Sequence, residues 1–263
     1  FDMSFIGHSY ACRQGKGPHS AADKLQYWLR YLDRKEEEYY YLKLDISKYF
    51  YRVDHEVNDK IIQRKIKDRD LMWLLRKYFE NDEVPFGLPL GVEPGECTWF
   101  ERLFDKGMPI GDLMSQLRAN IQLNPLDQFC KHDLKLRRYI RYMDDFNILH
   151  HDKKYLHYIK NEIESFLNNE LELHLNDKTC ISPCSKGVKF VGYTIFATHR
   201  KMKKKTVLRM KRRLKYLQEA YTKGEVSFEK VNASVQSYLG LLEHCDSYNL
   251  QKKLLEALVF VRR

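Results

Sequence analysis

Residues 138–150 read RYIRYMDDFNILH: two runs of strand formers (Tyr139, Ile140 and Tyr142, then Phe146, Ile148 and Leu149) on either side of the acidic pair Asp144-Asp145. An Asp pair in a tight hairpin has two readings. Asp tolerates turn conformations and hydrogen-bonds its own backbone, so the pair could serve the turn alone. Adjacent carboxylates also repel each other, so they fit best where a cation neutralises them. The hairpin by itself leaves both readings open, and the rest of the chain has to choose.

Upstream, residues 39–45 (YYYLKLD) form a second strand that ends on a carboxylate, Asp45, just before the chain turns away. Asp54 is positioned to cap a helix starting near His55 and carrying Ile61, Ile62 and Ile66; a further helical stretch carries Leu71, Leu74, Leu75 and Tyr78. Dense Pro and Gly between residues 81 and 109 predict a long connecting loop. Residues 107–116 (GMPIGDLMSQ) run into a helix with Asp112 as its N-cap and Leu113, Leu117, Ile121 and Leu123 as apolar positions; Gly111 would permit a close backbone approach. Near the N-terminus, residues 5–17 form a Gly-containing basic segment, where Arg13 and Lys16 are either phosphate contacts or ordinary loop cations. Pro18 opens a helix to about Lys35 with Leu25, Trp28, Leu29 and Leu32 on one face.

Downstream of the hairpin, residues 153–171 make an amphipathic helix (Leu156, Ile159, Ile163, Leu167, Leu171). LHLNDKT (173–179) leads to VKFVGYTIF (188–196), a strand or hairpin in which Gly192 permits a bend. From about Thr206 the pattern is helical, with Met210, Leu214, Leu217 and Tyr221 on one face and Arg209, Arg212, Arg213 and Lys215 largely off it. Gly224 ends that helix, and two more follow, at about 227–244 and 248–261.

At 263 residues with 43% hydrophobic and 13% aromatic content, the chain is too apolar for disorder and can bury a sizeable core. No apolar run approaches the ~20 residues of a membrane span, no signal-peptide pattern opens the chain, and a cytoplasmic protein is expected. The first residue is Phe1, consistent with a fragment or a processed form. Six scattered cysteines read as reduced thiols, since Cys180 and Cys184 lack a second pair at metal-ligand spacing. The net charge of +10 is localised: residues 200–263 hold 16 Lys and Arg against 6 Asp and Glu, while the remainder balances at 30 of each sign. A neutral body with a cationic C-terminal quarter suggests a polyanion partner, most simply nucleic acid; a solubilising tail is the plainer alternative.

Asp45 and Asp144 lie on strands that can be neighbours in one sheet. Converging carboxylates of this kind suit two divalent ions roughly 4 Å apart, one activating an attacking hydroxyl and one stabilising a leaving oxygen. Hard Mg²⁺, with Mn²⁺ as a substitute, prefers a few carboxylates plus substrate phosphate oxygens. With a cationic tail on the same chain, the residues point to phosphoryl transfer on nucleic acid.

LKLDISKYF (42–50) and YMDD (142–145), in this order and separation, resemble motifs A and C of reverse transcriptases. GMPIGDLMSQ is similar to motif B, LHLNDKT to motif D and KFVGYTI to motif E, so the resemblance covers nearly the whole chain. It implies an α+β right-hand polymerase: partial fingers over 1–38, a palm with an antiparallel sheet and helices over 39–198, and a basic α-helical thumb over 199–263. Position by position it implies metal ligation by Asp45, Asp144, Asp145 and the Ile46 carbonyl. It places Phe50 as the bulky gate against a ribose 2′-OH, and Lys178 as the acid for the leaving pyrophosphate, though Lys178 also reads as a surface lysine. Gly111, Ser115 and Gln116 would line the groove for template and incoming deoxynucleoside triphosphate, with Arg13 and Lys16 as phosphate contacts. Tyr142, Met143, Gly192, Arg209, Arg212 and Arg213 would face the RNA template and the DNA primer or cDNA.

Motif B narrows the resemblance. Group II intron and retron enzymes typically read QG…SP, whereas this chain reads Ile110-Gly111 and Ser115-Gln116. That form, with SYACRQGKG (9–17), looks like the reverse transcriptases of diversity-generating retroelements. The resemblance then implies a phage or bacterial enzyme making error-prone cDNA from a template-repeat RNA alongside a small basic accessory protein. One departure is that family members usually carry a basic fingers segment ahead of the SYA-type sequence, and here the chain starts too late to include it. The alternatives are another bacterial reverse transcriptase (retron, group II intron-like or phage-defence) and a retired polymerase that only scaffolds RNA.

Overall fold

The computed structural model describes residues 1–79 and 84–258, so the start of the expected loop at Asn81 and the last residues of the expected helix 248–261 lie outside the described part. The chain packs as two units, residues 1–21 with 37–183 and residues 22–36 with 184–263.

The first unit is built on an antiparallel sheet of four strands. In chain order its elements include β1 (Tyr40–Asp45), the short turn α2 (Tyr49–Arg52), α3 (His55–Gln63), α4 (Arg69–Phe79), α5 (Leu113–Gln128), β2 (Tyr139–Tyr142), β3 (Asp145–His150), α6 (Lys153–Glu170) and β4 (Cys180–Pro183). The strand order is β2-β3-β1-β4. Because side chains alternate across a strand, Leu42 and Leu44 of β1 face the same way as Phe146 and Ile148 of β3. They form one core with Leu156, Ile159, Ile163 and Leu167 of α6. Tyr41, Lys43 and Asp45 are left on the opposite face. Strand β4 was not foreseen: LHLNDKT leads into it, and it pairs with β1 from Tyr40↔Pro183 to Lys43↔Cys180.

Asp54 caps α3 as expected, accepting from the Val57 amide at 2.9 Å, and it also takes a hydrogen bond from Lys106 Nζ at 2.9 Å. The expected loop 81–109 holds more order than its composition suggests: Gly87 pairs with Leu103, and residues 99–101 form a 3₁₀ turn boxed by Thr98 and Glu101. Two of its glycines are required by close approach. A Cβ on Gly107, at φ +86, would lie 2.6 Å from the Phe86 carbonyl carbon, and one on Gly87 would lie 2.7 Å from Leu103. Gly107→Ala is expected to destabilise the fold by about 2–4 kcal/mol through overpacking and backbone strain, read as a lower midpoint in urea.

Helix α5 buries only part of its expected apolar positions. Leu113 and Leu117 are exposed, while Arg118, Asn120, Gln122 and Asp127 are buried alongside Ile121 and Leu123. These polar groups are paired, apart from the Gln122 Nε2, which has no partner. Arg118 bonds Asp59 at 2.7 Å and Asn58 at 2.6 Å, and Asn58 donates to Gln122 at 2.8 Å. An apolar periodicity count misses a helix whose inner face is a polar network.

The second unit gathers α1 (Pro18–Leu32) from residue 22 onward, whose Leu25, Trp28, Leu29 and Leu32 are buried, with a three-stranded sheet and three helices. The sheet runs β5 (Val188–Phe190), β6 (Tyr193–Ile195) and β7 (Arg200–Met202), and the helices are α7 (Lys204–Thr222), α8 (Phe228–Leu242) and α9 (Tyr248–Glu256). Val191 and Gly192, both at positive φ (39° and 90°), make the two-residue β5–β6 turn, so Gly192 supplies backbone freedom there. Residues 22–36 pack with the C-terminal part, where Arg200 bonds Asp23 and Gln26 and Arg30 donates to the Ala197 carbonyl at 3.0 Å. The boundary between the two units falls at 183/184, and β7 completes the sheet begun by β5.

Candidate active site

The antiparallel register of β1 and β3 places Asp45 directly opposite Asp145. Residues paired in this way present their side chains on one face of the sheet. Tyr142 and Asp145 close the β2–β3 hairpin, leaving Met143 and Asp144 as its two-residue turn. Met143 takes the left-handed conformation at φ +54, usually reserved for Gly at the first position of such a turn. The Asp144 carbonyl accepts from the Ile46 amide at 3.3 Å, tying the turn to the end of β1. Asp45 and the pair Asp144-Asp145, about a hundred residues apart in sequence, are therefore carried to one end of one sheet.

Their electrostatics are unbalanced. Burial, together with the neighbouring charges of Asp45 and Asp145, pushes the Asp144 carboxyl up to about 6. Lys43, two residues before Asp45 and on the same strand face, forms an ion pair with Asp145. Among the described residues no three His, Cys, Asp or Glu side chains converge as an assembled metal cage, and the Asp145–Lys43 pair differs from the expected ligation by all three carboxylates. The donor set still fits a hard divalent cation: oxygens only, half-buried, and carrying more negative charge than one lysine offsets. Asp45 and Asp144 are the residues that would hold it, with Asp145 available once released from Lys43.

Beneath the turn, on the core face of β2, lies a polar cluster that the motif reading missed. Arg141 and Asp127 are both fully buried and joined by two bonds, Nε to Oδ1 at 2.8 Å and Nη2 to Oδ2 at 2.6 Å. Tyr139 donates to the same carboxylate at 2.6 Å, and Arg141 Nη1 donates to the carbonyl of Met143 at 3.0 Å and to Asn120 Oδ1 at 3.1 Å. Burial alone would lower the Arg141 pKa, but the Asp127 charge outweighs it and raises it. The available signal was an arginine at an inward position of an otherwise apolar strand.

The remaining expected site residues fall as follows. Ile46 is buried at the end of β1. Phe50 sits half-buried in α2 against the core. Gly111 is exposed at φ +96 with open space where a Cβ would go, so conformation rather than close approach explains it. Ser115 is buried in the first turn of α5, its amide donating to the N-cap Asp112 at 2.8 Å. Gln116 Oε1 accepts from Cys12 Sγ at 3.1 Å. Lys178 is exposed in a turn, where its amide donates to Asn176. Arg13 is committed to its own segment, bonding Asp2 at 2.6 Å and the Ile6 and Ser9 carbonyls, while Lys16 donates to the Gly7 carbonyl at 2.6 Å. In the second unit, Arg209, Arg212 and Arg213 lie exposed on α7, away from its buried Met210, Leu214 and Leu217.

A strand-end Asp opposed to an Asp-Asp turn, on an antiparallel sheet backed by helices, is the palm of a right-hand nucleic-acid polymerase. Residues 4–195 match the family model described as reverse transcriptase (RNA-dependent DNA polymerase), and the chain belongs to that family. It is 28% identical over 184 residues to Protein YkfC of Escherichia coli, covering 57% of this chain and 45% of that protein. It is 23% identical to the group II intron-encoded protein LtrA of Lactococcus lactis, covering 59% and 35% respectively. The chain thus spans less than half the length of these relatives. Among solved structures, telomerase from Candida albicans in complex with a TWJ fragment of telomeric RNA is similar in fold, with TM-score 0.54 and 14% identity over 99% of this chain and 46% of that one. Apo telomerase from Candida tropicalis gives TM-score 0.53 and 16% identity over 96% and 49%. No described helix is long and apolar enough to cross a membrane.

Proposed function

We propose that this chain is the catalytic part of an RNA-directed DNA polymerase that extends a primer on an RNA template with deoxynucleoside triphosphates. The observation that carries the reading is the Asp45↔Asp145 register with Asp144 in the adjoining turn. Two Mg²⁺ ions, held by Asp45 and Asp144 with the Ile46 carbonyl, would activate the primer 3′-hydroxyl and stabilise the leaving pyrophosphate. Asp145, paired with Lys43, keeps negative charge beside the pair without competing for the same position. Phe50 would crowd a ribose 2′-OH, and Lys178 would stand as proton donor to the pyrophosphate. Gln116 and Gly111 would border the template and nucleotide. Primer extension on an RNA template with Mg²⁺ tests this: extension lost with EDTA and absent from Asp45→Asn is expected, whereas RNA binding without incorporation by the wild type would leave a scaffold only.

The exposed cations of α7 suit the backbone of a primer–template duplex. Replacing Arg209, Arg212 and Arg213 together with Ala is expected to lower the slope of log affinity against log salt by about 2–3, at roughly 0.7–0.9 per charge. A titration over 50–300 mM KCl reads it; an unchanged slope removes α7 from the interface.

Within the family, Ile110-Gly111 and Ser115-Gln116 support a diversity-generating retroelement enzyme working with a small basic accessory protein. The likeness to LtrA favours a second reading, a group II intron-type enzyme. Sequencing the cDNA separates the two, because the retroelement reading requires errors concentrated opposite template adenine.

A further inference from the structure

The N-terminal segment at Tyr10 and Ala11, helix α5 and the hairpin turn are joined through one buried group. Arg141 bonds the Asp127 carboxylate through two nitrogens and spends Nη1 on the Met143 carbonyl and on Asn120. Asn120 in turn donates to the Ala11 carbonyl at 2.8 Å. The Arg141 backbone pairs with the same N-terminal segment, its amide donating to the His8 carbonyl and its carbonyl accepting from the Tyr10 amide, both at 3.0 Å. Every polar partner of this guanidinium belongs to a structure that touches the site: the carboxylate turn, or the helix bearing Gln116.

We infer that Arg141, held by Asp127, is a positioning residue for the metal-binding turn: it fixes the strained Met143 backbone and thereby the placement of Asp144 against Asp45. The physical need is specific. A non-Gly residue at φ +54 is unfavourable by itself, and a turn carrying adjacent carboxylates is pushed apart by their repulsion. A rigid, charge-assisted donor on the Met143 carbonyl, anchored from the core side, opposes both tendencies. Lysine could not replace it, because one ammonium cannot span the Asp127 carboxylate and the Met143 carbonyl in the same fork. The inference rests on the metal-site reading proposed above and deepens it by naming what holds the site in register.

The test uses the full chain and Mn²⁺ as the probe, followed by electron paramagnetic resonance titration, beside steady-state primer extension. Replacing the buried pair by apolar side chains of similar volume, Arg141→Met with Asp127→Leu, removes the clamp without leaving an uncompensated charge. The expected result is a cooperatively folded protein whose Mn²⁺ affinity falls about 10–100-fold and whose kcat falls about 100-fold, with KM for the deoxynucleotide within about threefold. Arg141→Lys, which keeps a cation opposite Asp127, is expected to show the same split and carries the test if the double variant does not fold. A folded variant of either kind with wild-type Mn²⁺ affinity and kcat overturns the inference and leaves the metal site standing. Wild-type protein that binds no Mn²⁺ overturns the metal-site reading, and the inference with it.

Discussion

Asp144→Asn is expected to abolish primer extension, by at least about a thousandfold, and at the same time to raise the thermal midpoint of the metal-free protein at pH 7. The two effects share one cause. Asp144 is pushed up to about 6 by burial and by Asp45 and Asp145, so its ionised form is unfavourable in the folded state compared with the unfolded chain. A carboxyl whose folded pKa lies above its unfolded value contributes stability that is fully present below about pH 4 and lost as pH rises through about 6. Asparagine reproduces the neutral form at every pH. After discounting for partial exposure, the gain at pH 7 is about 1–2 kcal/mol, and it shrinks to nothing towards pH 4. Divalent cation should reverse the order: Mn²⁺ raises the wild-type midpoint by linkage, weakly below pH 6, and leaves the variant nearly unmoved. Differential scanning fluorimetry at pH 4, 6 and 8, with and without Mn²⁺, reads all of this. A variant less stable than wild type at pH 8 without metal would mean that Asp144 is a structural cap, which was the plain reading of the Asp pair.

Arg141→Ala is expected to cost about 3–5 kcal/mol of folding free energy, a drop of roughly 6–20 °C in thermal midpoint. Asp127 and Arg141 are both at 0% exposure, so removing either leaves the other charge in the core without its partner. Asp127→Ala should cost a similar amount and also strand the Tyr139 hydroxyl, which donates to that carboxylate. Urea denaturation of the two single variants and of the apolar double variant forms a cycle. The double variant should be more stable than either single one, since no charge is left behind. Single variants within about 1 kcal/mol of wild type would show that water reaches the cluster, and the clamp would then have no rigid anchor.

Much of the architecture is legible from local pattern. Strand alternation in residues 40–45 and 139–150, the caps at Asp54 and Asp112, and the apolar stripe of 153–170 are short-range properties, and short-range sterics and burial decide them. The ordered motifs around Asp45 and Asp144 are sufficient to place the chain in its family without reference to packing. Pairing between distant parts of the chain is not legible in this way. β4 is an edge strand of mixed composition that exists because β1 offers it hydrogen bonds, and residues 22–36 leave their sequence neighbours because Arg200 binds them from 177 residues away at Asp23.

What the sequence determined alone is therefore the chemistry available: three carboxylates on strand ends, a cationic helix, and the elements that carry them. Tertiary structure decided how that chemistry is held. Register made Asp45 and Asp145 opposite partners, Lys43 engaged one carboxylate, and the inward face of α5 closed on Arg141 through Asp127 and Asn120. It also committed Arg13 and Lys16 to their own loop. Pairing energies between distant charges depend on separation and burial, and neither quantity is written in the order of residues along the chain.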